Sequence, residues 1–105
     1  MMIAAALLAL QAPAAAPADP GDPFGAAVSA WARCASERTR IYSATPRRDR
    51  HVISAALYAC YDEERALQAL FVQRFGKKRG RRAMRETIEM TRRRLTEDLR
   101  AIRGR

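Results

Sequence analysis

Two side-chain types in this chain are spaced so that they could do chemistry: a single pair of cysteines, Cys34 and Cys60, and a run of cations beginning at Lys77. Two thiols far apart in sequence suit a covalent brace if the chain reaches an oxidising compartment, and stay reduced in cytosol. They do not suit redox catalysis, for which paired cysteines normally sit close together, as in Cys-x-x-Cys. Nor do they suit zinc, which needs about four ligands when only His51 could join them. The cations Lys77, Lys78, Arg79, Arg81, Arg82 and Arg85 form the densest basic cluster, and Arg92, Arg93 and Arg94 a second. Such clusters attract polyanions.

No other residue type assembles a reaction centre. His51 is the only histidine and has no ligand or nucleophile partner in a recognisable arrangement. Asp62, Glu63 and Glu64 are consecutive, so on a helix they diverge by about 100° each and do not converge on one bond. Ser54 lacks a base and an oxyanion loop. Trp31, Tyr58 and Tyr61 suit hairpin packing better than a shared groove. The sequence therefore points to no catalytic residue, no metal site, no cofactor and no small-molecule substrate, and the expected protein is not an enzyme.

The positioning elements read as helices throughout, without strand-like alternation. Asp22-Pro23 is a helix start, with Asp22 as N-cap and Pro23 at the first helical position. From it Phe24, Val28, Trp31, Ala35, Ile41 and Tyr42 recur at helical spacing. Ser43-Ala44-Thr45-Pro46 breaks the pattern, and Thr45 or Asp49 is placed to cap the next helix. That second helix is predicted from about Arg50 to Phe75. Its apolar face comprises Val52, Ile53, Ala56, Leu57 and Cys60, then Leu67, Leu70, Phe71 and Phe75. Gly76 stops it, and Gly76 to Gly80 reads as a flexible basic turn. A third helix is predicted over Arg81 to Ile102, with a narrow stripe of Met84, Ile88, Leu95, Leu99 and Ile102. Thr91 and Asp98 spoil a heptad seam there.

The two cysteines test this layout. With a turn between Ser43 and Arg50, Cys34 lies about nine residues before it and Cys60 about ten after, level in an antiparallel hairpin at about 1.5 Å per residue. The expected fold is all-α: an antiparallel helical hairpin stapled by Cys34–Cys60, plus a basic C-terminal helix that either packs back on it or extends.

Residues 1–18 read as a signal peptide. Met2 to Leu10 is an uncharged apolar run of nine residues, too short for the roughly twenty that span a bilayer but the size of a secretion signal's apolar region. Small residues at Ala16 and Ala18, or at Ala12 and Ala14, suit cleavage after Ala18 or Ala14. No Lys or Arg precedes the run. Residues 19–23 are then a linker, 24–75 the hairpin and 76–105 the basic helix, with periplasm or secretion as the expected location and no membrane span in the mature chain. A remainder of about 85 residues has a small core, for which a disulfide is useful reinforcement.

Taken together, the leader, Trp31-x-x-Cys34, the Pro-containing turn, Ala55-Ala56-Leu57-Tyr58-Ala59-Cys60 and Glu63-Glu64 resemble a group of small uncharacterised bacterial secreted proteins with one Cys in each of two helices. The resemblance covers about residues 1–70 and is one of layout. That group carries no established activity, so it assigns no functional residue.

The net charge of +9 is lopsided: residues 76–105 hold twelve basic and four acidic side chains. One reading is a surface that binds anions: lipid head groups, lipopolysaccharide, acidic polymers or nucleic acid. No aromatic residue comes after Phe75, which disfavours base stacking. The other reading is a solvated face. Arg82–Glu86, Arg85–Glu89, Glu89–Arg93, Arg93–Glu97 and Arg94–Asp98 stand four apart, each pair contributing a few tenths of a kcal/mol. The expected function is structural or protein-binding in the cell envelope, through the apolar stripe of Met84 to Ile102 or by self-association; the alternative is binding to anionic surfaces.

Overall fold

A computed structural model describes residues 22–104; the expected signal peptide, its cleavage sites and the start of the linker lie outside them. All regular structure among the described residues is helical: α1 (Pro23–Tyr42), α2 (Asp49–Ala59), α3 (Tyr61–Phe75) and α4 (Lys77–Ile102).

Helix α1 starts as expected. The Asp22 carboxylate accepts from the Phe24 N–H at 3.0 Å, with Pro23 behind it. Its buried face is Trp31, Ala35 and Thr39, flanked by half-buried Phe24, Val28 and Tyr42. Ile41, expected in the core, is 52 % exposed. Thr39 takes its place because it lies four residues, about one turn, beyond Ala35. Burial of the Thr39 hydroxyl is compensated by its donation to the Ala35 carbonyl at 2.8 Å.

The expected second helix is two helices. At Cys60 the backbone turns to φ −103°, ψ 27°, its N–H reaching the Leu57 carbonyl at 3.1 Å, while its carbonyl accepts from Glu64 N at 3.0 Å to open α3. The break allows both halves to lie on α1. Asp62, Glu63 and Glu64, which interrupt the apolar pattern of one long helix, are the first turn of a new one, where carboxylates interact favourably with the exposed N–H dipoles. Neither Thr45 nor Asp49 caps α2: Arg48 is the N-cap without a side-chain bond, and the Thr45 hydroxyl donates back to the Tyr42 carbonyl at 2.7 Å.

The Cys34–Cys60 disulfide is formed, its Cα atoms 5.9 Å apart. At the open end of the hairpin Phe24 meets Phe71 edge to face, centroids 5.0 Å apart, and Arg74 stacks over Phe24 at 4.9 Å. The start of α1 thus faces the end of α3, as an antiparallel arrangement requires.

Helix α4 packs back. It begins at Lys77, not Arg81, so the expected flexible turn is the single residue Gly76, at φ +86°. Gly80 is buried against α3: a Cβ there would lie 2.6 Å from Val72 Cα and 2.7 Å from the Phe71 carbonyl oxygen. From this crossing α4 runs antiparallel to α3 and α2. Arg92 Nη1 donates to Ser54 Oγ at 3.3 Å, and Arg103, just past α4, reaches the α1–α2 loop. Met84, Leu95 and Leu99 enter the core with Trp31, Ile53, Leu57, Leu67 and Phe71. The result is a three-membered bundle whose middle member is broken at the disulfide.

Candidate anion-binding surface

Helix α4 divides the basic cluster. All six residues, Lys77, Lys78, Arg79, Arg81, Arg82 and Arg85, are exposed. At about 100° per residue, Lys78, Arg82 and Arg85 share one outward sector about 60° wide, and Arg79 stands on the opposite flank. Lys77 and Arg81 lie on the adjoining sector beyond Arg85 and line a groove that also contains Arg65 and Tyr61 of α3. The sequence cluster is therefore an outer trio plus a pair joined to a cation on another helix. Sequence reading missed Arg65, because only the α3–α4 crossing at Gly80 brings it alongside.

Helix α4 itself does not relieve the charge at this end. The first turn of α4 has no acidic residue and its N-cap, Gly76, offers no side-chain bond. Cations stand where the helix dipole is also positive, an arrangement that costs about 0.3–1 kcal/mol per charge. Among the described residues the ion pair within 4.0 Å is Arg103–Asp49, at 2.8 Å. The five pairs spaced four apart along α4 do not close to that distance, consistent with the small gain available to exposed charges.

The second basic group behaves differently. Arg92 is half-buried; besides its bond to Ser54 it lowers the proton affinity of Glu64, against a larger opposing effect of burial. Burial wins and raises the Glu64 carboxyl above its own ordinary value. Arg93 and Arg94 are exposed.

The stripe expected to bind a protein partner is occupied. Met84, Leu95 and Leu99 are at most 4 % exposed, Ile88 is half-buried against the core, and only Ile102 remains open, at 50 %. Trp31 lies in the core whereas Tyr58 is 82 % exposed, so the three aromatic residues do not form one groove. His51 is exposed at the start of α2. Among the described residues no His, Cys, Asp and Glu group could hold a metal ion, and no helix is long and apolar enough to cross a membrane.

No family model, curated protein or solved structure matches this chain.

Proposed function

We propose that this is a small exported, non-catalytic protein that binds anionic surfaces through the basic first half of α4. The observation that carries the reading is the fate of the apolar stripe. Because the core uses Met84, Leu95 and Leu99, what the first half of α4 offers outward is charge, concentrated on Lys78, Arg82 and Arg85. Basic residues near an anionic lipid surface contribute about 1 kcal/mol each. Nucleic acid is the poorer fit, since stacking aromatics are missing from this helix.

Export is part of the proposal and rests on the Cys34–Cys60 bond, which persists in oxidising compartments, together with the leader-like composition of residues 1–18. Intact mass of the protein from its native cell, with and without reductant before alkylation, reports both. A shortened chain with blocked thiols is expected; a full-length chain with two free thiols would refute export.

The binding test is co-sedimentation with phosphatidylglycerol vesicles against phosphatidylcholine vesicles. Retention on the anionic vesicles alone is expected, falling steeply as salt rises from about 0.05 to 0.5 M. Replacing Lys78, Arg82 and Arg85 by Gln should weaken it about 100-fold. Equal retention by both vesicles, or by the triple variant, contradicts the reading.

One observation favours a protein partner instead. Tyr58, 82 % exposed beside the bend at Cys60, has the amphipathic character typical of binding hot spots. A size by light scattering that rises with concentration, ignores salt and reverts in Tyr58→Ser would support that alternative through self-association.

A further inference from the structure

Between α3 and α4 lies a groove of about 460 Å3, the size class that holds small ligands. Three cations line it: Arg65 from α3, and Lys77 and Arg81 from α4. None of them has a carboxylate partner within ion-pair distance among the described residues. Arg65 instead lies over the Tyr61 ring at 5.7 Å, its Nη1 3.5 Å from the Tyr61 hydroxyl. An incoming phosphate would supply the acceptor oxygens these donors lack, in charge-assisted bonds roughly twice as strong as neutral ones.

The remaining lining narrows the ligand. Glu64 and Gln68 line the same groove, with Ala69 and Val72. A carboxylate repels a bare polyanion, and it accepts hydrogen bonds from hydroxyls. Gln68 both donates and accepts. Three cations together with the hydrogen-bonding groups of Glu64 and Gln68 suit a ligand that carries both a phosphate and hydroxyls.

We infer that the α3–α4 groove binds a phosphorylated sugar, its phosphate on Arg65, Lys77 and Arg81 and its hydroxyls on Glu64 and Gln68. This draws on the same charge as the anionic-surface reading but uses different side chains from the outer trio, so the two fail separately.

The test uses the full disulfide-bonded chain, monitored by amide NMR. Probes are glucose 6-phosphate, glucose and inorganic phosphate, and phosphatidylcholine vesicles doped with a lipid bearing a phosphorylated disaccharide headgroup. Glucose 6-phosphate or the doped vesicles should perturb amides around residues 61–69 and 77–81, the responding probe identifying a free or a lipid-borne source. Glucose and inorganic phosphate should bind at least about tenfold more weakly than glucose 6-phosphate. The double variant Arg65→Gln/Arg81→Gln should lose about tenfold or more, and Arg82→Gln should lose little. Silence toward both sugar phosphates, phosphate binding as tightly as glucose 6-phosphate, or binding untouched by the double variant overturns the inference. Phosphatidylglycerol retention that survives alongside any of these results leaves the surface reading standing alone.

Discussion

Arg103 is the residue whose role is hardest to see in the sequence. Its guanidinium donates to the Ser43 carbonyl at 3.2 Å, the Thr45 and Arg47 carbonyls at 2.8 Å each, and Asp49 Oδ1 at 2.8 Å. Two of these acceptors, Ser43 and Thr45, lie just past the C-terminal end of α1, where a cation is favoured, and Asp49 opens α2, where an anion is favoured. The side chains of Arg103 and Asp49 are only 11 % and 18 % exposed, so the pair is shielded from the screening that weakens surface pairs. Arg103→Ala should destabilise the fold by about 2 kcal/mol in urea titration; Arg103→Lys should restore less than half, since an ammonium lacks the planar fork. A loss below about 0.5 kcal/mol would mean the loop is held by its own turns. Glu64 gives a prediction in pH. Its folded carboxyl binds protons more tightly than in the unfolded chain. The stability linked to it is therefore present below the unfolded pKa and lost as pH rises through the folded one. Glu64→Gln should flatten the decline in stability from pH 4 toward neutrality; an unchanged slope in denaturation at several pH values would remove burial of Glu64 as its cause.

Among the elements, the α3–α4 crossing turns on one glycine. In an isolated helix Ala is favoured over Gly by about 1 kcal/mol, so composition alone predicts that Gly80→Ala stabilises α4. The structure reverses the sign. The new methyl group would sit 2.6 Å from Val72 Cα and 2.7 Å from the Phe71 carbonyl oxygen, both backbone atoms that move only with the whole helix. A loss of roughly 1–3 kcal/mol is expected, read by chemical denaturation, together with displaced amide resonances on both helices. A stabilised variant would show that the crossing is wider than described. The break at Cys60 also belongs to this scale. Nothing in the apolar periodicity of Val52 to Phe75 marks it, because Leu57, Cys60, Leu67 and Phe71 are buried on both sides of the bend. The acidic run Asp62-Glu63-Glu64 is the signal that could have found it, read as a helix start.

For the whole molecule, the disulfide closes a separation of 26 residues. Such a link should stabilise by roughly 3.5 kcal/mol in the chain-entropy model, a large share of the total for a domain this small. The double variant Cys34→Ala/Cys60→Ala should melt roughly 15 °C or more below the oxidised protein, and dithiothreitol should lower the melting temperature of the unmodified protein in the same direction. A shift of under about 3 °C would show that packing of Trp31, Leu67 and Leu99 suffices without the brace. Vesicle binding is expected to survive reduction at low temperature, because the outer trio lies on α4 and not on the bridged helices.

Local and periodic features were legible from the residues alone: helical class, the Asp22-Pro23 start, the Gly76 stop, the pairing of the two cysteines and the lopsided charge. Each depends on a residue's own backbone preference or on neighbours within a turn or two, and those travel with the sequence. Tertiary structure alone decided that Met84, Leu95 and Leu99 are core and not a docking stripe, that Gly80 is a contact and not a turn, and that Arg65 joins Lys77 and Arg81. It also decided that Arg103 holds a loop some sixty positions away. Those outcomes depend on which helix faces cross and how closely. That geometry arises from burying many apolar side chains at once, and no short window of residues contains it.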